Sequence, residues 1–285
     1  MSKTILVAAP EVYSKRFAQA LEVHHLIPIA VPVIKTIATP DTAGMRTLLE
    51  NDLDDIDYIA FCSRCAVDSL SAALNHRYGC CEELVSGRTS SAPAEDEGKR
   101  ATIVATVLAK CTLIAIGKDA DYVLERLRIL PGICPDEPSP AGIAAKLAES
   151  GRAEGRTIAV LAPCVGGFAE PDVVPRFVDQ LKGMGMRVVR VDAYVTRPVS
   201  EEAVSAAVTA LTSGSVHCVA FTSASEIAVL LSRSPRCLAN IDVACFGPYT
   251  AGFAAEHGVT VSCVAKDFSS FDGFAAAIVQ HYARR

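Results

Sequence analysis

No apolar run in this sequence approaches the roughly 20 residues that a membrane-spanning helix needs, because charges interrupt each of them well short of that length. The opening MSKTILVAAPE carries neither a basic stretch leading into a long apolar core nor a cleavage-like site. No secretory signal is expected. There is no G-x-x-x-x-G-K-[ST] phosphate loop, and the GMG at 183–185 precedes a strand rather than a helix, so the common nucleotide fingerprints are missing. Positive charge is not in excess: 27 Lys and Arg stand against 32 Asp and Glu, a formal net charge of −5. A general nucleic-acid binder needs a basic face, so that class is excluded and any anionic ligand must be held locally.

Cysteine, in contrast, is plentiful. Eleven are present, most inside apolar runs, as at Cys218, Cys245 and Cys263, which is the pattern of buried free thiols in a reducing, cytoplasmic compartment. Cys62 and Cys65 form a C-x-x-C within IDYIAFCSRCAVDSL. This spacing suits a thioredoxin-like dithiol or one half of a zinc site. A zinc site normally takes four ligands from two such pairs; no second pair exists, and His24, His25, His76, His217, His257 and His281 are scattered.

A later stretch, VHCVAFTSASEIAVLL, aligns Ala220-Phe221-x-Ser223 with Ala60-Phe61-x-Ser63 at a spacing of 160 and places Thr222 and Ser225 where the cysteines stand. Both copies pass from a β-rich apolar run through small polar residues into an amphipathic run, a buried strand feeding a helix. Sulfur is therefore incidental at Cys62 and Cys65, where the position asks for a small polar group.

The echo extends along the chain. KTILVAAP at 3–10 resembles RTIAVLAP at 156–163, RFAQAL at 16–21 resembles RFVDQL at 176–181, AIGKDADYVLERL parallels CFGPYTAGFAAEHG, and SPAGIAAKL parallels SFDGFAAAI. Each copy alternates strands with helices: strand 4–9, helix 13–24, strand 27–35, helix 42–51, strand 57–62, helix 65–77, then strand 112–117 and helices 119–128 and 139–150. The alternation predicts an α/β fold of parallel sheets with right-handed crossovers, covered on both faces. Residues 78–101, rich in Gly, Ser, Pro and charge, have no counterpart in the second copy and read as a flexible surface insertion, or alternatively as a lid.

Ligands in such sheets bind beyond the carboxyl ends of the strands, where the turns CSRCA, GKDAD, TSASE and GPYTA lie. Helix N-termini there present unpaired N–H groups to carboxylates without needing a basic protein. An ordinary N-cap is the alternative for each turn taken alone. CVGGFAEP, after the strand at 157–162, could cradle an anion or be a plain connection.

AFTSAS, GPYTA, VDAYVTRP and YIAFCSRCAV together resemble the uroporphyrinogen III synthase family over essentially the whole chain, the 78–101 insertion apart. The resemblance implies two parallel-sheet α/β domains, residues 1–36 with 198–285 and residues 40–194, joined by a two-stranded β-ladder through VIKTIA and DAYVTRP. It implies a monomer without metal or organic cofactor, acting on hydroxymethylbilane handed over by hydroxymethylbilane synthase. Loss of the terminal hydroxyl of that linear tetrapyrrole gives an azafulvene, and a spiro intermediate lets the last ring close inverted. The enzyme mainly selects a substrate fold that favours this route.

By the same resemblance Tyr194 is the acid that protonates the leaving hydroxyl, being protonated at neutral pH; on strand propensity alone it is equally a packed hinge-strand aromatic. Ser63, Gly117 and Thr222 are implied as substrate-binding, Ser223, Ser225, Gly247, Pro248, Tyr249 and Thr250 match carboxylate-binding positions, and Arg64, Lys118 and Arg197 supply compensating charge. Asp119 and Asp121 depart from the family's Asn and Thr and would repel a polyanion in the site, and Ala9 replaces an arginine. These departures motivate an alternative: a non-enzymatic domain pair that binds a tetrapyrrole or other polycarboxylate as a sensor. A hinged small-molecule binder akin to periplasmic proteins is a third reading, against which the missing signal counts.

Overall fold

The structure, a computed structural model, describes residues 2–78, 103–116 and 119–284. Among the described residues ten strands form two sheets: β1 (Thr4–Val7), β2 (Ile27–Ala30), β3 (Ile34–Ala38), β4 (Tyr58–Phe61), β5 (Thr112–Ile114), β6 (Thr157–Val165), β7 (Arg187–Pro198), β8 (Cys218–Phe221), β9 (Asp242–Cys245) and β10 (Cys263–Val264). The first sheet has the order β10-β9-β8-β1-β2 and the second β3-β7-β6-β4-β5. Pairing is parallel for β1 with β2 and β8, for β9 with β8 and β10, and for β4 with β5 and β6.

The alternating side chains of β4 enter different cores. Ile59 and Phe61 of β4 pack with the helices Arg64–Tyr78 and Asp119–Leu127, whereas Tyr58 and Ala60 pack with the helices Pro140–Glu149 and Val173–Gly183. All four are buried. A strand covered on both faces has no solvent side, so its sequence reads as a continuous apolar run rather than an alternation. Each such fully buried large side chain contributes roughly 1.5–3 kcal/mol.

The duplication explains the sheet orders. Pairing β1, β2, β8 and β9 with β6, β7, β4 and β5 makes the run β9-β8-β1-β2 equivalent to β5-β4-β6-β7. Ile133, bridged in parallel to Ile114, stands where β10 stands beside β9. The copies differ in chain order, because the βαβ unit comes first in one and last in the other. The chain accordingly divides into one compact unit of Met1–Thr36, Val165–Asp172 and Thr196–Arg285 and another of Ile37–Cys164 and Val173–Val195.

Matched helices also end alike. After the helix Glu11–Val23, Leu26 N–H donates to Leu21 and His25 N–H to Glu22; after Val173–Gly183, Met186 N–H donates to Leu181 and Gly185 N–H to Lys182. Both are Schellman ends, which require a left-handed residue. Gly185 (φ 79°) supplies it in one copy and His25 (φ 58°) in the other.

The elements differ from the sequence expectation at three places. The strand expected at 27–35 is two, β2 and β3, in different sheets; Pro32, which has no N–H to donate, lies between them. The helix expected at 42–51 is a short helix, Ala43–Thr47, capped by Thr42 and followed by a wider turn over Leu48–Asp52. At the edge of the second sheet, Thr39 N–H donates to Ala193 and Val199 N–H to Val33, so β3 runs against β7, not parallel to it. Residues 79–102, which include most of the expected insertion, lie outside the described residues.

Candidate functional site

The turn after β4 is built around a charge pair. Arg64 opens the helix Arg64–Tyr78 and donates through Nε to Asp119 Oδ1 at 2.7 Å. Asp119 begins the helix Asp119–Leu127, after Gly117 and Lys118, both of which lie outside the described residues. Asp119, expected to repel an anion, is thus the counterion of Arg64. Around the pair lies a cluster that sequence reasoning missed. The Tyr122 ring stacks beneath the Arg64 and Arg126 guanidiniums, 4.9 and 5.2 Å from its centroid. Its hydroxyl donates to Asp68 at 2.7 Å and accepts from Arg126 Nε at 3.1 Å. Burial, followed by the Asp68 hydrogen bond, pushes the phenol up to about 12, so it remains a donor.

Ser63 caps this helix in the ordinary sense, its Oγ accepting the Ala66 N–H at 3.4 Å. The two flanking cysteines part company: Cys62 packs against the core containing Tyr58 and Ala60, and Cys65 against the core containing Ile59 and Phe61. Burial pushes the Cys62 thiol up to about 12 despite the opposing Arg190 charge, so it carries little thiolate for disulfide exchange near neutral pH. Among the described residues no group of three or more His, Cys, Asp or Glu is placed to hold a metal ion.

The matching turn after β8 has a different interior. Glu226, fully buried in the first turn of the helix Ala224–Arg233, accepts the Thr222 N–H at 2.8 Å, the Thr222 hydroxyl at 2.5 Å and the Ser223 hydroxyl at 3.2 Å. Desolvation raises its carboxyl to about 7 against the lowering effect of these donors. Ser225 is partly exposed and makes no side-chain hydrogen bond among the described residues. Glu226 was also missed, although S-A-S-E at 223–226 has the spacing of a capping box and could have pointed to it.

The turn after β9 places Gly247 as the N-cap of the helix Pro248–Glu256, with Pro248 at its first position, Tyr249 next and Thr250 buried. Gly247 has ordinary extended backbone; what it needs is space, since a Cβ there would lie 3.3 Å from the Phe268 side chain. Tyr194 lies on β7, 6% exposed among the apolar side chains of the core that contains Ile59 and Phe61. Arg197, three residues on, is exposed. The structure thus brings Arg64 together with Asp119, and Thr222 and Ser223 together on Glu226, while Ser63 caps its own helix and Ser225 stands apart from the Glu226 bonds.

No helix among the described residues is long and apolar enough to cross a membrane. No curated protein matches the sequence. Among solved structures, a mutant uroporphyrinogen III synthase from the extremely thermophilic bacterium Thermus thermophilus is 17% identical, with all of both chains covered and a TM-score of 0.65, which shows a shared fold. The wild-type enzyme from the same organism, in another crystal form, is 18% identical over 99% of both chains, with a TM-score of 0.47. The family described as uroporphyrinogen-III synthase HemD matches residues 15–275. The chain therefore belongs to the uroporphyrinogen-III synthase family.

Proposed function

We propose that the protein is a uroporphyrinogen-III synthase that cyclises and dehydrates hydroxymethylbilane, inverting the last ring through a spiro intermediate to give uroporphyrinogen III. The observation that carries this is the family match over residues 15–275 of a chain of 285. The turns support it in kind, because a flexible polycarboxylate needs many short-range donors rather than one strong cation.

In this reading the backbone N–H groups and hydroxyls of Ser63, Thr222, Ser223, Ser225 and Thr250, with the turn at Gly247, Pro248 and Tyr249, bind and fold the substrate. Gly117 and Lys118 belong to the same set. Arg64 and Arg197 supply positive charge, and Tyr194 donates the proton to the leaving hydroxyl. The domains are 1–36 with 198–285 and 40–194, bounds that the two compact units follow closely apart from Val165–Asp172, which groups with the first, and they are joined by the ladder of β3 and β7. The protein acts as a cytoplasmic monomer and receives its unstable substrate from hydroxymethylbilane synthase. Because uncatalysed closure keeps the ring in its original orientation, selecting one substrate fold supplies much of the catalysis.

The test is to feed freshly generated hydroxymethylbilane to the purified protein, oxidise the products and separate the isomers. A dominant type III product is expected; type I alone, equal to a control without protein, would overturn the reading in favour of a binding module.

A further inference from the structure

The two matched turns offer opposite hydrogen-bonding faces, and one residue makes the difference. In the first, Ser63 Oγ accepts the Ala66 N–H, which leaves its hydroxyl proton for an outside acceptor. In the second, the position of Ala66 is taken by Glu226, 160 residues on. Its buried carboxylate accepts from the Thr222 and Ser223 hydroxyls, and Ser223 accordingly accepts no capping bond from its own helix. A hydroxyl has one proton and two lone pairs, so a hydroxyl that donates inward has only acceptor capacity left for a ligand. A carboxylate is acceptor-only and cannot use that capacity. A pyrrole N–H can.

We propose that Glu226 is a specificity-determining positioning residue: by taking the hydroxyl protons of Thr222 and Ser223 it turns this pair into acceptors for the pyrrole N–H groups of the substrate, and leaves carboxylates to Ser225 and to the Ser63 turn. This rests on the proposed function and deepens it, dividing a set of residues otherwise assigned uniformly to carboxylates. Thr222, Ser223 and Ser225 are all partly exposed, so both kinds of face are presented to a ligand. The ionisable side chain that faces Glu226 from the neighbouring strand β9 is Cys245, whose thiol burial pushes up to about 12 and which is therefore neutral throughout the working range.

Glu226→Gln reverses the arrangement with almost no change in shape. The amide oxygen keeps the Thr222 N–H, the amide nitrogen donates to the two hydroxyls, and their protons turn outward. The probes are a pyrrole carrying one acetate and one propionate and its N-methyl derivative, which lacks the donor, titrated at pH 8 while the backbone amide signals of residues 222–226 are followed. The wild-type protein is expected to bind the N–H form roughly five- to tenfold more tightly, the worth of one neutral hydrogen bond. Glu226→Gln should abolish the preference, as should Thr222→Val combined with Ser223→Ala, and joining all three changes should lose no more than either.

The KM for hydroxymethylbilane should rise by a similar factor in Glu226→Gln and in the Thr222→Val, Ser223→Ala double variant, with the type III fraction kept. A preference that survives in the variants, or tighter binding of the N-methyl form by the wild type, would overturn the proposal. Failure of the synthase reading would show separately, as type I product from a wild-type protein that still discriminates between the probes. If Glu226→Gln fails to fold, Thr222→Val with Ser223→Ala carries the same test.

Discussion

Arg64 and Asp119 form a 2.7 Å ion pair between the first residues of two helices, each side chain a little over a quarter exposed. An anionic substrate that uses Arg64 competes with an aspartate already in place. Asp119→Asn should therefore lower the KM for hydroxymethylbilane about threefold at low salt. The gain should shrink at high ionic strength, as screening removes what the freed charge contributes. The stability cost should stay within about 1 kcal/mol, the usual worth of a partly exposed pair. A KM unchanged at low salt would take Arg64 out of substrate binding.

Tyr194→Phe keeps the ring in the core and removes only the hydroxyl. If that hydroxyl is the acid, kcat should fall by about a hundredfold or more with KM little changed, since general acid catalysis typically contributes that much. Single-turnover kinetics with product isomer analysis measures it. A wild-type kcat and type III yield would remove Tyr194 from the chemistry and leave it as packing.

Glu226 titrates near 7 in the fold against an ordinary value of 4.5. The folded chain therefore holds the proton at a pH where the unfolded chain has lost it. The resulting stabilisation is fully present below about 4.5 and is lost as the pH rises through about 7, roughly 3 kcal/mol over the window. Glu226→Gln has no such dependence, so urea midpoints at pH 5, 6.5 and 8 should move progressively in favour of the glutamine variant. Parallel profiles would mean that Glu226 is not buried as described.

Cys62→Thr with Cys65→Ser converts the first turn to the residue types of the second, Thr222 and Ser225. Because the two thiols face different cores, the double variant should keep its activity and lose no more than about 1–2 kcal/mol of stability. In the native wild type, iodoacetamide at pH 8 should modify the exposed Cys164 well before Cys62, as read by peptide mass spectrometry. Fast labelling of Cys62 would revive a redox role.

His25→Gly should stabilise the protein by about 0.5–1 kcal/mol. The native φ of 58° is one that glycine adopts without a Cβ penalty, the Schellman bonds are all to backbone, and the side chain is exposed. Thermal midpoints of the two proteins decide it.

Several of these features could be read before any coordinates. The runs around Ala60 and Ala220 announced buried parallel strands, because a strand covered on both faces must be apolar throughout. Ser63 and Ser223 were visible as helix starts, where small polar residues are favoured, although only Ser63 serves an orphan N–H group there. Tyr122 and Glu226 were not. Tyr122 meets Arg64 across 58 positions of sequence, and no local pattern specifies that distance. Glu226 looked like one more charge on a helix, and only its burial made it the group that sets the sense of two hydroxyls.

By itself the sequence determined the α/β alternation, the duplication and the candidate turns, because each depends on periodicities and residue types within a few positions of one another. The tertiary structure alone decided which strands became neighbours, that β3 runs against β7, that Asp119 neutralises Arg64 and that Glu226 occupies donors which Ala66 leaves alone. These are long-range pairings and burial-dependent protonations. Their energies exist only once the chain has brought the partners together and excluded water from between them.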